Sequence, residues 1–146
     1  LGEYASACQR LDTLLQRHGH EDNHLLLGLL HKARAEVALD MQDADRQKVL
    51  IACQAAVESH IVITHGTDTM PEAAQVLGAA KLNKTIVLTG AMIPFEMQSS
   101  DALFNLGFAC AAARTLPAGV YVAMNGQVFA WDKVKKNKVA GKFEAR

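Results

Sequence analysis

HIVITHGTDTM, residues 60–70, sets the reading of the whole chain. His60 to Thr64 is a short, mostly apolar run rich in β-branched residues, which reads as a strand. It passes directly into His65-Gly66-Thr67-Asp68-Thr69, a glycine turn followed by two hydroxyls flanking a carboxylate. Thr69 and Glu72 have the spacing of a capping box, and Pro71 falls in the first turn, where its missing N–H costs nothing. The stretch therefore predicts strand, polar turn and helix, the helix running to about Leu82.

The same unit recurs on both sides. Upstream, Arg46, Val49, Leu50, Cys53, Ala56 and Val57 recur at helical spacing, with Asp40 as the cap. Downstream, Thr85 to Thr89 in KTIVLTGAM predicts a second strand ending at a glycine. A loop from Ile93 to Ser99 holds Pro94, and Ser99 or Ser100 caps a helix to about Ala113. Val120 to Met124 predicts a third strand, and Gln127 to Phe129 a short extension after the Asn125-Gly126 turn. The first forty residues are helical in pattern around Cys8, Leu11, Leu14 and Leu15, with a break at His18-Gly19-His20. The apolar run after Asn23 fits either a buried helix or a strand. Asp132 to Arg146 is a polar, lysine-rich tail.

Continuous apolar strands alternating with helices imply a mainly parallel sheet covered on both faces, a three-layer α/β/α domain spanning residues 1–146. Right-handed crossovers bring the strands' carboxyl ends to one edge, where open α/β sheets bind ligands. The turns at His65–Thr69, Thr89–Met92 and Asn125-Gly126 all fall there.

Bulk properties exclude several classes. Half of the 146 residues are apolar and 21% are charged, an ordinary globular balance. Fifteen basic and fifteen acidic side chains cancel, so no net charge points to nucleic acid. Cys8, Cys53 and Cys110 are odd in number and widely spaced, without a C-x-x-C, which predicts neither a disulfide framework nor a zinc knuckle. A reducing, cytoplasmic setting is expected; no apolar run is long enough for a bilayer and no signal-peptide pattern appears.

Each chemical candidate has a plainer reading. Thr67, Asp68 and Thr69 fit a helix cap, with Asp68 favoured by the helix dipole. They also fit a hydroxyl nucleophile at the sheet edge, which then needs a base and N–H groups for an oxyanion. The tail offers Lys133, Lys135, Lys136, Lys138 and Lys142; a solvated basic face is the plainer reading, a lysine base in a closed cleft the sharper one. His18, His20, His24 and His31 lack a zinc-helix pattern, and His65 reads as a packed strand-end residue. Cys110 reads as core. Gly78 is an isolated helix glycine, and no dinucleotide or P-loop motif occurs.

ITHGTDTMPEAAQVL, TIVLTGAMIPFEMQSSDALFNLGFA and AGVYVAMNGQVF, in this order, resemble the amino-terminal domain of bacterial L-asparaginases, above all a short group consisting of that domain alone. The likeness runs from about Leu39 to Phe143. It implies hydrolysis of a small, asparagine-like amide through an acyl-enzyme on threonine, with no cofactor and no metal. By the same resemblance Thr67, Asp68 and Lys136 form a proton relay, Asp68 and Gly66 contact the substrate, and the Ala91 backbone carbonyl faces its amide. Lys135 adjoins Lys136, so the register between them is open.

Three departures qualify the resemblance. The family's first strand ends in Thr-Gly-Gly-Thr-Ile, whose first threonine is the usual nucleophile, and that string does not occur here. Ala38 stands where the family has a serine that holds the substrate's α-carboxylate. The family's carboxyl-terminal domain is not represented. A chain without the first strand is expected to expose a sheet edge, self-associate as a homo-oligomer, and have little turnover unless Thr67 serves as nucleophile. The alternative is an inactive domain that binds an amino acid or serves in assembly; neither membrane nor nucleic acid is expected as a partner.

Overall fold

The computed structural model describes residues 41–95 and 97–146. In chain order these form α1 (Asp43–Ala55), β1 (His60–Thr64), α2 (Met70–Ala79), β2 (Thr85–Thr89), α3 (Ala102–Thr115), β3 (Gly119–Met124), β4 (Gln127–Ala130), β5 (Val134–Asn137) and β6 (Lys142–Ala145). β1 to β4 make one sheet in that order, and β5 and β6 make a separate two-stranded hairpin. β1 pairs with β2 in parallel, His60 opposite Thr85 and Thr64 opposite Thr89. β2 pairs with β3 in parallel, Thr85 opposite Gly119. β4 folds back antiparallel on β3 through Asn125 and Gly126, both at positive φ as a tight hairpin turn requires.

Alternation along the strands explains why helices cover both faces. Ile61, Ile63, Ile86, Leu88, Val120, Val122 and Met124 pack with Met70, Ala73, Ala74 and Leu77 of α2, with Cys53 of α1, and with Val134 and Phe143 of the hairpin. Val62, Val87 and Ala123 point the other way, onto Ala109, Ala112 and Ala113 of α3. The expected three-layer arrangement with a mainly parallel sheet is what forms. The α3 face is built from small residues, so that helix lies close to the strands. Cys110 is half-buried against this second cluster.

Several local expectations need correction. Thr69 stands at the N-cap of α2 but its hydroxyl makes no capping bond. Its ψ of 16° is far from the extended value that swings an N-cap oxygen toward the first-turn N–H groups. α2 stops at Ala79 rather than Leu82, with Lys81 in the left-handed region. The N-cap of α3 is Asp101, not a serine, although the Ala102 N–H does donate to Ser100 Oγ at 3.2 Å. α1 ends at Ala55, so Val57 falls off its apolar face and is 93% exposed. The tail is not a plain polar surface, because Val134 and Phe143 are core residues. Asp40, Ala38, Cys8 and the histidines at 18, 20, 24 and 31 lie outside the described residues.

Gly78 has a specific packing role. A Cβ there would sit 2.2 Å from Cδ2 of the Trp131 ring. Alanine favours a helix interior over glycine by roughly 1 kcal/mol, but overpacking typically costs about 1–3 kcal/mol. Gly78→Ala is therefore expected to lower the urea midpoint, followed through fluorescence of Trp131, the chain's one tryptophan. An unchanged or raised midpoint would show that the indole moves aside at little cost.

Candidate active site

The turn after β1 is held before any site chemistry is considered. The His65 N–H donates to the Thr89 carbonyl at 2.8 Å, which extends the β1–β2 ladder past the strand ends. The His65 ring contacts the Gly66 carbonyl through Nδ1 at 2.7 Å. A carbonyl only accepts, so Nδ1 carries the proton. Burial, reinforced by the nearby charge of Arg46, lowers the His65 pKa; the Gly66 carbonyl opposes the shift without cancelling it. Gly90 lies against this turn. A Cβ on it would come 2.4 Å from the His65 carbonyl and 3.5 Å from Thr67 Cγ2, so a larger residue would push the two strand ends apart.

Lys136 reaches the same turn from the hairpin. Its Nζ donates to Thr67 Oγ1 at 2.7 Å and to Asp68 Oδ1 at 2.6 Å. The side chain is 10% exposed, whereas that of Lys135 is 51% exposed and pairs outward with Glu144 at 3.4 Å. The period of two in β5 explains the difference: Lys136 shares a face with Val134, which is fully buried, and Lys135 takes the opposite face. The hydrogen bond from Lys136, and then its charge, hold the Asp68 carboxyl below the usual aspartate range. Asp68 remains 54% exposed, with one oxygen on Lys136. Thr67, Asp68 and Lys136 thus meet at the carboxyl edge of the sheet, and Ala91 follows Gly90 in the adjoining turn.

A second polar group at this edge was not singled out by residue pattern. Asp101 Oδ1 accepts from the N–H groups of Met92 and Ile93 at 2.9 and 3.1 Å. Its Oδ2 accepts from the side-chain amides of Asn105 at 2.7 Å and Asn125 at 3.2 Å. Asn105 is completely buried, donates to the Gly90 carbonyl at 3.0 Å, and accepts from the Asn125 N–H at 2.9 Å. Burial pushes the Asp101 pKa up, but the bonds from Ile93, Asn105 and Met92 outweigh it and hold the carboxyl low. The signal for this group was the i, i+4 spacing of Asp101 and Asn105 on one helix face.

The family described as Asparaginase, N-terminal, matches residues 12–144. The chain belongs to this family. The probable periplasmic L-asparaginase of Haemophilus influenzae is 40% identical over 103 residues, covering 66% of this chain and 30% of that protein. A glutaminase-asparaginase of Acinetobacter glutaminasificans is 45% identical over 80 residues, covering 52% and 24%. The solved thermostable L-asparaginase of Thermococcus kodakarensis superposes with a TM-score of 0.68 at 32% identity, covering 72% of this chain and 34% of its own. The chain thus spans about a third or less of the length of these relatives. Among the described residues no helix is long and apolar enough to cross a membrane.

The half-buried His65 carries a pH dependence whose sign follows from its lowered pKa. Between its native value and the unfolded value of about 6.5, the unfolded chain binds a proton that the native state refuses. Its contribution is thus complete above the unfolded value and is lost as pH falls toward the native one. Urea midpoints near pH 7.5 and near pH 5.5 are expected to differ more for the wild type than for His65→Gln. Equal differences would mean that His65 takes up its proton in the folded state as readily as in the unfolded one.

Proposed function

We propose that this domain hydrolyses the side-chain amide of a small, asparagine-like amino acid to the acid and ammonia. The observation that carries the reading is the contact of the Lys136 ammonium nitrogen with both Thr67 Oγ1 and Asp68 Oδ1, made across 69 and 68 residues of chain. A threonine hydroxyl is a weak nucleophile until a neighbouring base takes its proton. In the proposed reaction Thr67 Oγ attacks the carboxamide carbon as its proton passes to Lys136 Nζ, which hands one of its own protons to Asp68 Oδ1. Lys136 Nζ then gives a proton to the departing amide nitrogen and recovers one from Asp68, and ammonia leaves. Water then attacks the acyl-threonine ester, releasing the acid and restoring the hydroxyl.

Asp68 orients Lys136 through one oxygen. Its exposure lets the carboxylate also meet the α-ammonium of an amino-acid substrate. The turn at Gly66 brings backbone close to the substrate, and the Ala91 carbonyl accepts from the substrate's amide N–H. The reading needs no cofactor and no metal. Cytoplasmic residence is proposed on the free thiols of Cys53 and Cys110, as found in a reducing compartment.

A second reading is a catalytically silent domain that serves in assembly, including homo-oligomers. Exposed Ile93, Phe95, Met97, Leu103 and Phe104, carried by the β2–α3 loop and the start of α3, favour it. Ammonia release from asparagine separates the two. Under the hydrolytic reading Lys136→Met lowers the rate by about 10²–10⁴-fold, as for a positioned acid–base group. Thr67→Val abolishes it, while Lys135→Met leaves it close to wild type. Equal losses at Lys135 and Lys136 would remove the relay, and no ammonia from the wild type would favour the silent domain.

A further inference from the structure

We infer that Asp101 and Asn105 form a clamp whose function is to aim the Ala91 carbonyl at the substrate amide, making them positioning residues of the site. This rests on the hydrolytic reading above for the identity of the substrate, but the clamp itself is read from geometry.

Two peptide planes flank Ala91. The one before it carries the Gly90 carbonyl, held by the Asn105 side-chain amide at 3.0 Å. The one after it carries the Met92 N–H, held by Asp101 Oδ1 at 2.9 Å. With both planes pinned, the dihedral angles of Ala91 have little freedom. In a trans peptide the carbonyl points opposite the following N–H, and the chain has no cis bond among the described residues. The Met92 N–H points at the start of α3, so the Ala91 carbonyl points away from it. α3 covers one face of the sheet, while α2 and the β5–β6 hairpin cover the other. The carbonyl is therefore aimed toward the side on which Thr67 and Lys136 meet. Among the described residues no donor reaches it.

The bonding choices of the clamp argue against a merely local role. Asp101 is the N-cap residue of α3 yet makes no side-chain cap bond to that helix. Aspartate at this position ordinarily satisfies the first-turn N–H groups; here Oδ1 is committed to the turn after β2, and Oδ2 to the side-chain amides of Asn105 and, after β3, Asn125. Asn105 is fully buried, and both ends of its amide bridge those same turns. A buried amide so completely paired is rigid, because any shift leaves a polar atom unsatisfied.

A carbonyl acceptor distinguishes an amide, which offers N–H, from the product acid, which does not. Two readouts on the full chain test the clamp: hydrogen exchange of the Met92 and Ile93 amides, and kinetics of ammonia release with aspartate as inhibitor. Asp101→Ala is expected to abolish protection of Met92 and Ile93 while leaving Val87 in β2 protected. It should raise KM for asparagine about tenfold, the value of one lost hydrogen bond, with the inhibition constant of aspartate unchanged. Asn105→Ala should do the same to KM. Asp101→Asn keeps the shape and one acceptor but sets an NH2 against the amides of Asn105 and Asn125. It should shift KM in the same direction by less, and serves if the alanine variants fail to fold. Retained Met92 protection in Asp101→Ala, or KM and the aspartate constant rising together, would overturn the clamp. A wild type without turnover would instead overturn the hydrolytic reading, and the exchange result would still decide whether Asp101 holds the turn.

Discussion

Parallel pairing of β1, β2 and β3 dictates where the polar turns of this chain can go. With His60, Thr85 and Gly119 in register, the three strands leave the sheet at the same edge, and the β1–β2 and β2–β3 connections must return by a helix. The ladder even continues one step beyond the strands, from the His65 N–H to the Thr89 carbonyl. That bond sets His65 and Thr67 beside Gly90, and only a glycine at position 90 leaves room for the approach. The edge is thus crowded by backbone geometry before any side chain takes a role.

The hairpin completes the edge, and magnitudes show what holds it there. A half-exposed ion pair such as Lys136 with Asp68 contributes at most about 1 kcal/mol. Burying Val134 and Phe143 contributes roughly 1.5–3 kcal/mol each. Packing therefore docks β5 and β6, and Lys136 is delivered to Thr67 as a consequence. The long lysine side chain is only 10% exposed, and its nitrogen reaches the polar turn.

This division accounts for what could be read in the sequence. Strand and helix order followed from uninterrupted apolar runs and helical spacing, because burial on both faces leaves that imprint. The His65–Thr69 string marked its turn through the glycine and the clustered polar groups. The hairpin was less legible: its lysines mask two core residues, yet Val134 and Lys136, two apart, already carry the alternation that turns Lys136 inward. The helix caps were misjudged because capping depends on ψ at a single residue. Spacing alone gives Thr69 and Glu72 the right separation without giving Thr69 the right backbone.

Asp101 shows why polar networks are the hardest feature to extract from a sequence. An aspartate before a helix has a strong local preference to cap it. Here tertiary demand overrides that preference, since the N–H groups of Met92 and Ile93 in the bent turn after β2 have no strand partner. The two N–H groups bond a charged oxygen, and such hydrogen bonds contribute about 1.5–3 kcal/mol each, more than the roughly 1 kcal/mol of a lost cap. The carboxylate goes where the larger gain lies. The helix gives up a cap, and the turn beside Thr67 gains a fixed shape, so the rigidity of the site edge is supplied from the opposite face of the sheet.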